Sequence, residues 1–158
     1  MSFLTQLASK GETGVLRGML KAGTNVNKRD PDGTTALLMA VQNGRTETVR
    51  FLLDAGADPN LTGEGDTSCL MLAAHDGLTD IMDLLISHAA DVNAQGGNGV
   101  TALIFAANNG HSEAVKKLVA AGANVRIRGN QGMTALSCAA SHKSEAITTI
   151  LRAAGAQE

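Results

Sequence analysis

The chain has 158 residues, 13 of them basic and 15 acidic, for a formal charge of −2; it has no Trp or Tyr, and Phe3, Phe51 and Phe105 are its only phenylalanines. One ordinary domain fits that length, and no run approaches the ~20 apolar residues of a membrane helix. Two cysteines, Cys69 and Cys138, imply no disulfide framework, and so few aromatic rings leave no stacking platform for nucleic-acid bases.

The charge is unevenly placed. Residues 1–30 carry a net +3, residues 31–95 a net −8 and residues 96–158 a net +3. An acidic centre is the reverse of the continuous positive groove that nucleic acid requires. The opening MSFLTQLASKGETG has no basic start, apolar core and small-residue cleavage site in succession, so no secretion signal is read there. The expectation is a monomer in the reducing cytoplasm.

In chain order, residues 1–29 begin apolar columns that recur every 33 residues. Leu16 leads to Val49, Met82 and Val115, and Leu20 leads to Leu53, Ile86 and Val119. Gln6 stands where Met39, Leu72, Phe105 and Cys138 stand later, so residues 1–29 read as an N-terminal cap. Residues 30–62 open on the turn Asp30-Pro31-Asp32-Gly33. A calcium loop would need an acid at its twelfth position, where Val41 stands. Thr35 is placed to cap a helix, Leu37 and Val41 share one face of it, and Gly44 supplies a stop. Thr46 can start a second helix with Val49, Leu52 and Leu53 as its buried stripe.

Residues 63–95 repeat the plan: Ser68 as cap, Gly77 as stop, Thr79 as restart, and Met82, Leu85 and Ile86 as the stripe. Asp66 stands where Gly33, Gly99 and Gly132 sit. The sequon Asn60-Leu61-Thr62 ahead of it is silent without secretion. Residues 96–128 begin with Gly96-Gly97-Asn98-Gly99, a flexible hairpin tip; no lysine follows, as a phosphate loop demands. Thr101, Gly110 and Ser112 mark the next two helices, and His111 braces the turn between them. The column Asn27, Asn60, Asn93 breaks at Arg126. In residues 129–158, Thr134 caps the first helix and Lys143 replaces the glycine stop. Thr148 and Arg152 turn two buried columns polar, which reads as a C-terminal cap.

The motif G-x-T-A-L-x-x-A, followed by a glycine and by L-L-x-x-G-A-D-x-N, returns four times at a 33-residue step. The clearest copies are GTTALLMAVQNGRTETVRFLLDAGADPN and GVTALIFAANNGHSEAVKKLVAAGANV. This pattern resembles the ankyrin repeat over essentially the whole chain. The resemblance implies an all-α solenoid of five stacked helix-turn-helix units joined by β-hairpin-like turns, one domain spanning 1–158. The family has Pro after the Thr and His after the Leu. Here those slots hold Ala36, Cys69, Ala102 and Ala135, and Leu38, Met71, Ile104 and Ser137. The polar tie that the His supplies between repeats is therefore expected to give way to apolar contact.

The resemblance also implies a function: non-catalytic protein binding, as adaptor, scaffold or stoichiometric inhibitor, on a concave face made by the turn tips and first helices. Slot by slot it selects Asp32, Thr34, Gln42 and Asn43, then Glu64, Thr67, His75 and Asp76, then Asn98, Val100, Asn108 and Asn109, and finally Arg128, Asn130, Met133 and His142. Acidic slots in the middle point to a partner with a basic contact surface, not to nucleic acid or a membrane. No cofactor or metal is expected, since the four histidines show no ligand spacing, and no nucleophile, base and orienter occur together. His88 reads as surface, and Cys69 and Cys138 as small core residues. Other readings are an artificial ankyrin scaffold, an enzyme-associated subunit and a nucleic-acid-binding regulatory subunit.

Overall fold

A computed structural model describes residues 1–157. Among them are ten α-helices in five antiparallel pairs, and no strand. The pairs are α1 (Phe3–Lys10) with α2 (Thr13–Lys21), α3 (Ala36–Gln42) with α4 (Thr46–Asp54), and α5 (Cys69–His75) with α6 (Thr79–Ser87). They continue as α7 (Ala102–Asn108) with α8 (Ser112–Ala120), and α9 (Ala135–Ser141) with α10 (Glu145–Ala153). Odd-numbered helices pack on one another in series to form one layer, and even-numbered helices form the other. The all-α ankyrin arrangement expected from the sequence is the one observed.

Each unit forms for local reasons. The hydroxyls of Thr35, Ser68, Thr101 and Thr134 accept from the amides of Leu38, Met71, Ile104 and Ser137 at 3.0–3.3 Å, satisfying one of the free donors at each helix start. Seven-residue helices have little stability alone, so what holds them is the core between them. Leu37, Leu70, Leu103 and Leu136 are at most 3 % exposed, and the buried apolar residues form one cluster along the chain. Ala40, Ala73, Ala106 and Ala139 are fully buried and let the two layers lie close. Cys69 and Cys138 are buried, unbonded thiols within it.

The expected loss of polar ties between repeats is corrected by the asparagine column. Leu38, Met71 and Ile104 are buried apolar contacts, as anticipated. Asn27, Asn60 and Asn93, however, each accept from a backbone amide one repeat on, at Asp58, Asp91 and Asn124, with O···N distances of 2.7–2.8 Å. Their amide groups donate to the carbonyls of Gly56, Ala89 and Gly122 at 3.1–3.5 Å. Arg126, which breaks the column in sequence, still donates from Nε to the Gly155 carbonyl at 3.4 Å. A two-sided amide does for the loops what the absent histidines do elsewhere.

Two further expectations shift. The Gly96–Gly99 tip is pinned rather than flexible, because the Gly97 amide donates to the Gly65 carbonyl of the previous tip at 2.8 Å. His88 is half-buried, with Nδ1 2.9 Å from the Leu84 carbonyl at the end of α6 and Nε2 3.5 Å from Asp54. It joins two repeats across the outer layer. At the last pair, Thr148 is half-buried and Arg152 exposed.

Candidate protein-binding face

The hairpin-like turns and the C-terminal ends of the odd-numbered helices make one side of the molecule. Turn tips project because each turn closes on itself: Asp30, Gly63, Gly96 and Gly129 donate from the amide to the carbonyls of Thr34, Thr67, Val100 and Met133 at 2.8–3.0 Å. Asp32 is exposed on the first such tip and its Oδ1 accepts from the Thr34 amide at 3.0 Å. Hydrogen bonding from Thr34 holds its carboxyl below the ordinary carboxylate value. Asn98 repeats the contact, accepting from the Val100 amide at 3.1 Å, while its carbonyl accepts from the Asn130 amide at 2.9 Å. Glu64, Asn130 and Arg128 are exposed on the later turns, and Thr34 and Thr67 are half-buried beneath the tips.

The helix ends supply the second row. Gln42 and Asn43 are exposed, and Asn43 donates back to the Met39 carbonyl at 2.8 Å. His75 and Asp76 form an exposed pair, Nδ1 to Oδ1 2.6 Å. The His75 carbonyl faces Nδ2 of Asn109 at 2.8 Å and Nε2 of His111 at 2.9 Å, so the His111 ring braces the preceding repeat and makes no capping bond in its own turn. Asn108 stands between Asn109 (3.4 Å) and Nε2 of His142 (3.3 Å). The row is thus cross-linked from the third repeat to the fifth.

One selected residue departs from the rest. Val100 is only 7 % exposed, because the next turn lies over it: a Cβ on Gly129 would come within 3.3 Å of its Cγ2. Met133, one repeat on, is 40 % exposed. Val100 therefore belongs to the core and offers a partner no side chain.

Thr34, Gln42, Glu64 and Thr67 come together around one open cavity of about 220 Å³ between α3 and α5. Leu38, Leu72 and Gly63 complete its lining; the sequence places the two leucines in structural columns and does not single out Gly63. Their signal was faint: Leu72 stands in a column where Gln6 and Phe105 also occur, so side-chain size varies there. A second cavity of about 310 Å³, between Arg128 and Arg152, lies over Leu136 and Ala140 at the last pair.

The two thiols are held in their protonated form by burial. Burial pushes the Cys69 thiol up to about 12, which suppresses the thiolate, and burial likewise raises Cys138. Among the described residues, no three His, Cys, Asp or Glu side chains converge on a metal position, and no helix is long and apolar enough to cross a membrane.

Comparison with protein families matches residues 2–96 and 70–157 to ankyrin repeats in three copies. Comparison with curated proteins finds no match. Ankyrin repeats generally bind other proteins and are typically non-catalytic. With the family match running over nearly every residue and the stacked helix pairs beneath it, the chain belongs to the ankyrin-repeat family.

Proposed function

We propose that this chain is a non-catalytic adaptor, scaffold or stoichiometric inhibitor that grips a partner protein on its concave face. The observation that carries this reading is the row Gln42, His75, Asp76, Asn108, Asn109 and His142. These exposed polar side chains recur at the repeat step, and all but Gln42 are held by hydrogen bonds to one another or to the His75 carbonyl, so most of these donors and acceptors are presented at a reduced entropy cost of ordering at binding. The partner's contact surface is basic opposite the second and third repeats, where Asp32, Glu64 and Asp76 are exposed. Complementary charge raises the association rate more than it deepens affinity, and salt screens it. No large aromatic anchor stands on this face apart from the half-buried Phe105, so affinity is moderate.

The opposite side offers a control. Arg50 and Lys116 are exposed on the even-numbered helices and lie within 4.0 Å and 2.7 Å of Glu47 and Glu113. Capture from lysate of the native cell, read by mass spectrometry, should retain the same protein with wild type and with Arg50→Glu/Lys116→Glu. Glu64→Lys/Asp76→Lys should lose it, with thermal stability unchanged. Loss on the Arg50/Lys116 side alone would place the partner on the even-numbered helices and refute the concave-face reading.

A further inference from the structure

The cavity between α3 and α5 is lined differently from the corresponding positions in the neighbouring repeats. One repeat earlier the slot of Gly63 holds Asp30, 6 % exposed, whose Oδ2 accepts from the Ser2 amide at 2.8 Å and the Thr5 hydroxyl at 2.9 Å. One repeat later Leu38, Gln42 and Leu72 are replaced by Met71, His75 and Phe105. There the imidazole stands edge-on to the phenyl ring at 5.7 Å, and Met71 is buried. Between α3 and α5 the half-buried Leu72, beside the buried Leu38, forms an apolar floor under a polar rim.

That rim carries one charge. Glu64 is the single ionisable residue lining the cavity, and it is exposed. Among the described residues its carboxylate has no hydrogen-bond or ionic partner. Several acids of the central repeats are engaged: Asp54 with His88, Asp76 with His75, Asp83 with Lys117, and Asp58 and Asp91 with the backbone. Gln42 is likewise unpartnered among the described residues. The nearby cation Arg29 does not line the cavity and donates to the Thr62 carbonyl at 2.6 Å. An acidic occupant would meet Glu64 as a like charge, and a neutral one would leave it without a counter-charge. A cationic side chain avoids both. Its alkyl stem covers the half-buried Leu72 while its head stays among polar groups, as long basic side chains do at any apolar edge.

We propose that this cavity seats one arginine or lysine side chain of the bound partner. The stem lies over Leu72, the cation meets Glu64, and Thr34, Gln42 and Thr67 take its remaining donors. The proposal rests on the protein-binding reading above and adds to it a residue-level specificity.

A random peptide library selected on the wild-type chain tests it. Wild type should enrich peptides with Arg or Lys at one fixed position, and Glu64→Gln should lose that preference while melting at the same temperature. A selected peptide should bind Glu64→Gln about ten-fold more weakly, the cost of one charge-assisted pair. Replacing its arginine by citrulline, or its lysine by norleucine, should cost the same factor on wild type and nothing further on Glu64→Gln. Equal losses on both proteins, or selected peptides with no basic preference, would overturn the proposal. In either case, binding that still falls with Asn108→Ala/His142→Ala would leave the concave-face reading standing; binding that falls only with Arg50→Glu/Lys116→Glu would remove both.

Discussion

Some single residues here sit in backbone conformations that their side chains do not favour. Ala89 has φ 63°, in the slot where Gly56 and Gly122 have φ 88° and 89°. A left-handed backbone costs a residue with a Cβ roughly 1–2 kcal/mol, and the Asn60 bond to the Ala89 carbonyl at 3.1 Å helps hold the loop there. Glycine would relieve that strain while adding freedom to the unfolded chain. Ala89→Gly should therefore stabilise by a net of about 0.5–1 kcal/mol, read as a higher midpoint in urea; a lower midpoint would mean the slot is unstrained. Lys143 (φ 54°) and Asp66 (φ 54°) occupy glycine slots in the same way. Both are exposed, so their side chains find room even where the backbone is unfavourable.

Among the elements, α1 is held differently from the other first-layer helices. Asp30 reaches back from the first turn to the start of α1, bonding Ser2 and Thr5, where later repeats have Gly63, Gly96 and Gly129. Burial raises its carboxyl, but the hydrogen bonds from Ser2 and Thr5 outweigh it and hold the group below its ordinary 3.8. A carboxyl lowered in the folded state stabilises at pH above its unfolded value, and that contribution disappears as pH falls through the folded one. Asp30→Asn should cost about 1.5–3 kcal/mol near neutrality, the range for hydrogen bonds to a charged group. The gap from wild type should then narrow below pH 3.8, as wild type also loses the charge. Denaturation of both proteins across that range measures it, and a gap independent of pH would show that the carboxylate charge contributes nothing.

At the scale of the molecule, stability is shared through neighbour contacts, because no pair of short helices buries its apolar face alone. Leu103 sits in the middle of the stack at 2 % exposure, within the single apolar cluster. Leu103→Ala should cost about 2–5 kcal/mol and shift the whole unfolding curve as one transition. A second transition, or a loss below half a kilocalorie, would mean the repeats unfold independently or that Leu103 contributes little.

Periodicity and capping were legible in the residues alone. A 33-residue step, Thr35, Ser68, Thr101 and Thr134 as caps, and restarts at Thr46, Thr79 and Ser112 all follow from interactions within a few residues, which any such stretch of chain carries with it. What lay between repeats was not legible. The asparagine column was visible, yet its bonds to Asp58, Asp91 and Asn124 span 31 residues and depend on how adjacent loops align. Val100 was selected as surface by its slot and is buried because the Gly129–Met133 turn covers it. At the α3–α5 cavity Gln42 and Leu72 stand where the larger His75 and Phe105 occupy the next step. Local hydrogen bonding and hydrophobic spacing thus decided the fold. Which slots stay open to a partner was decided by side-chain volumes meeting across two repeats, a relation that only the packed tertiary structure creates.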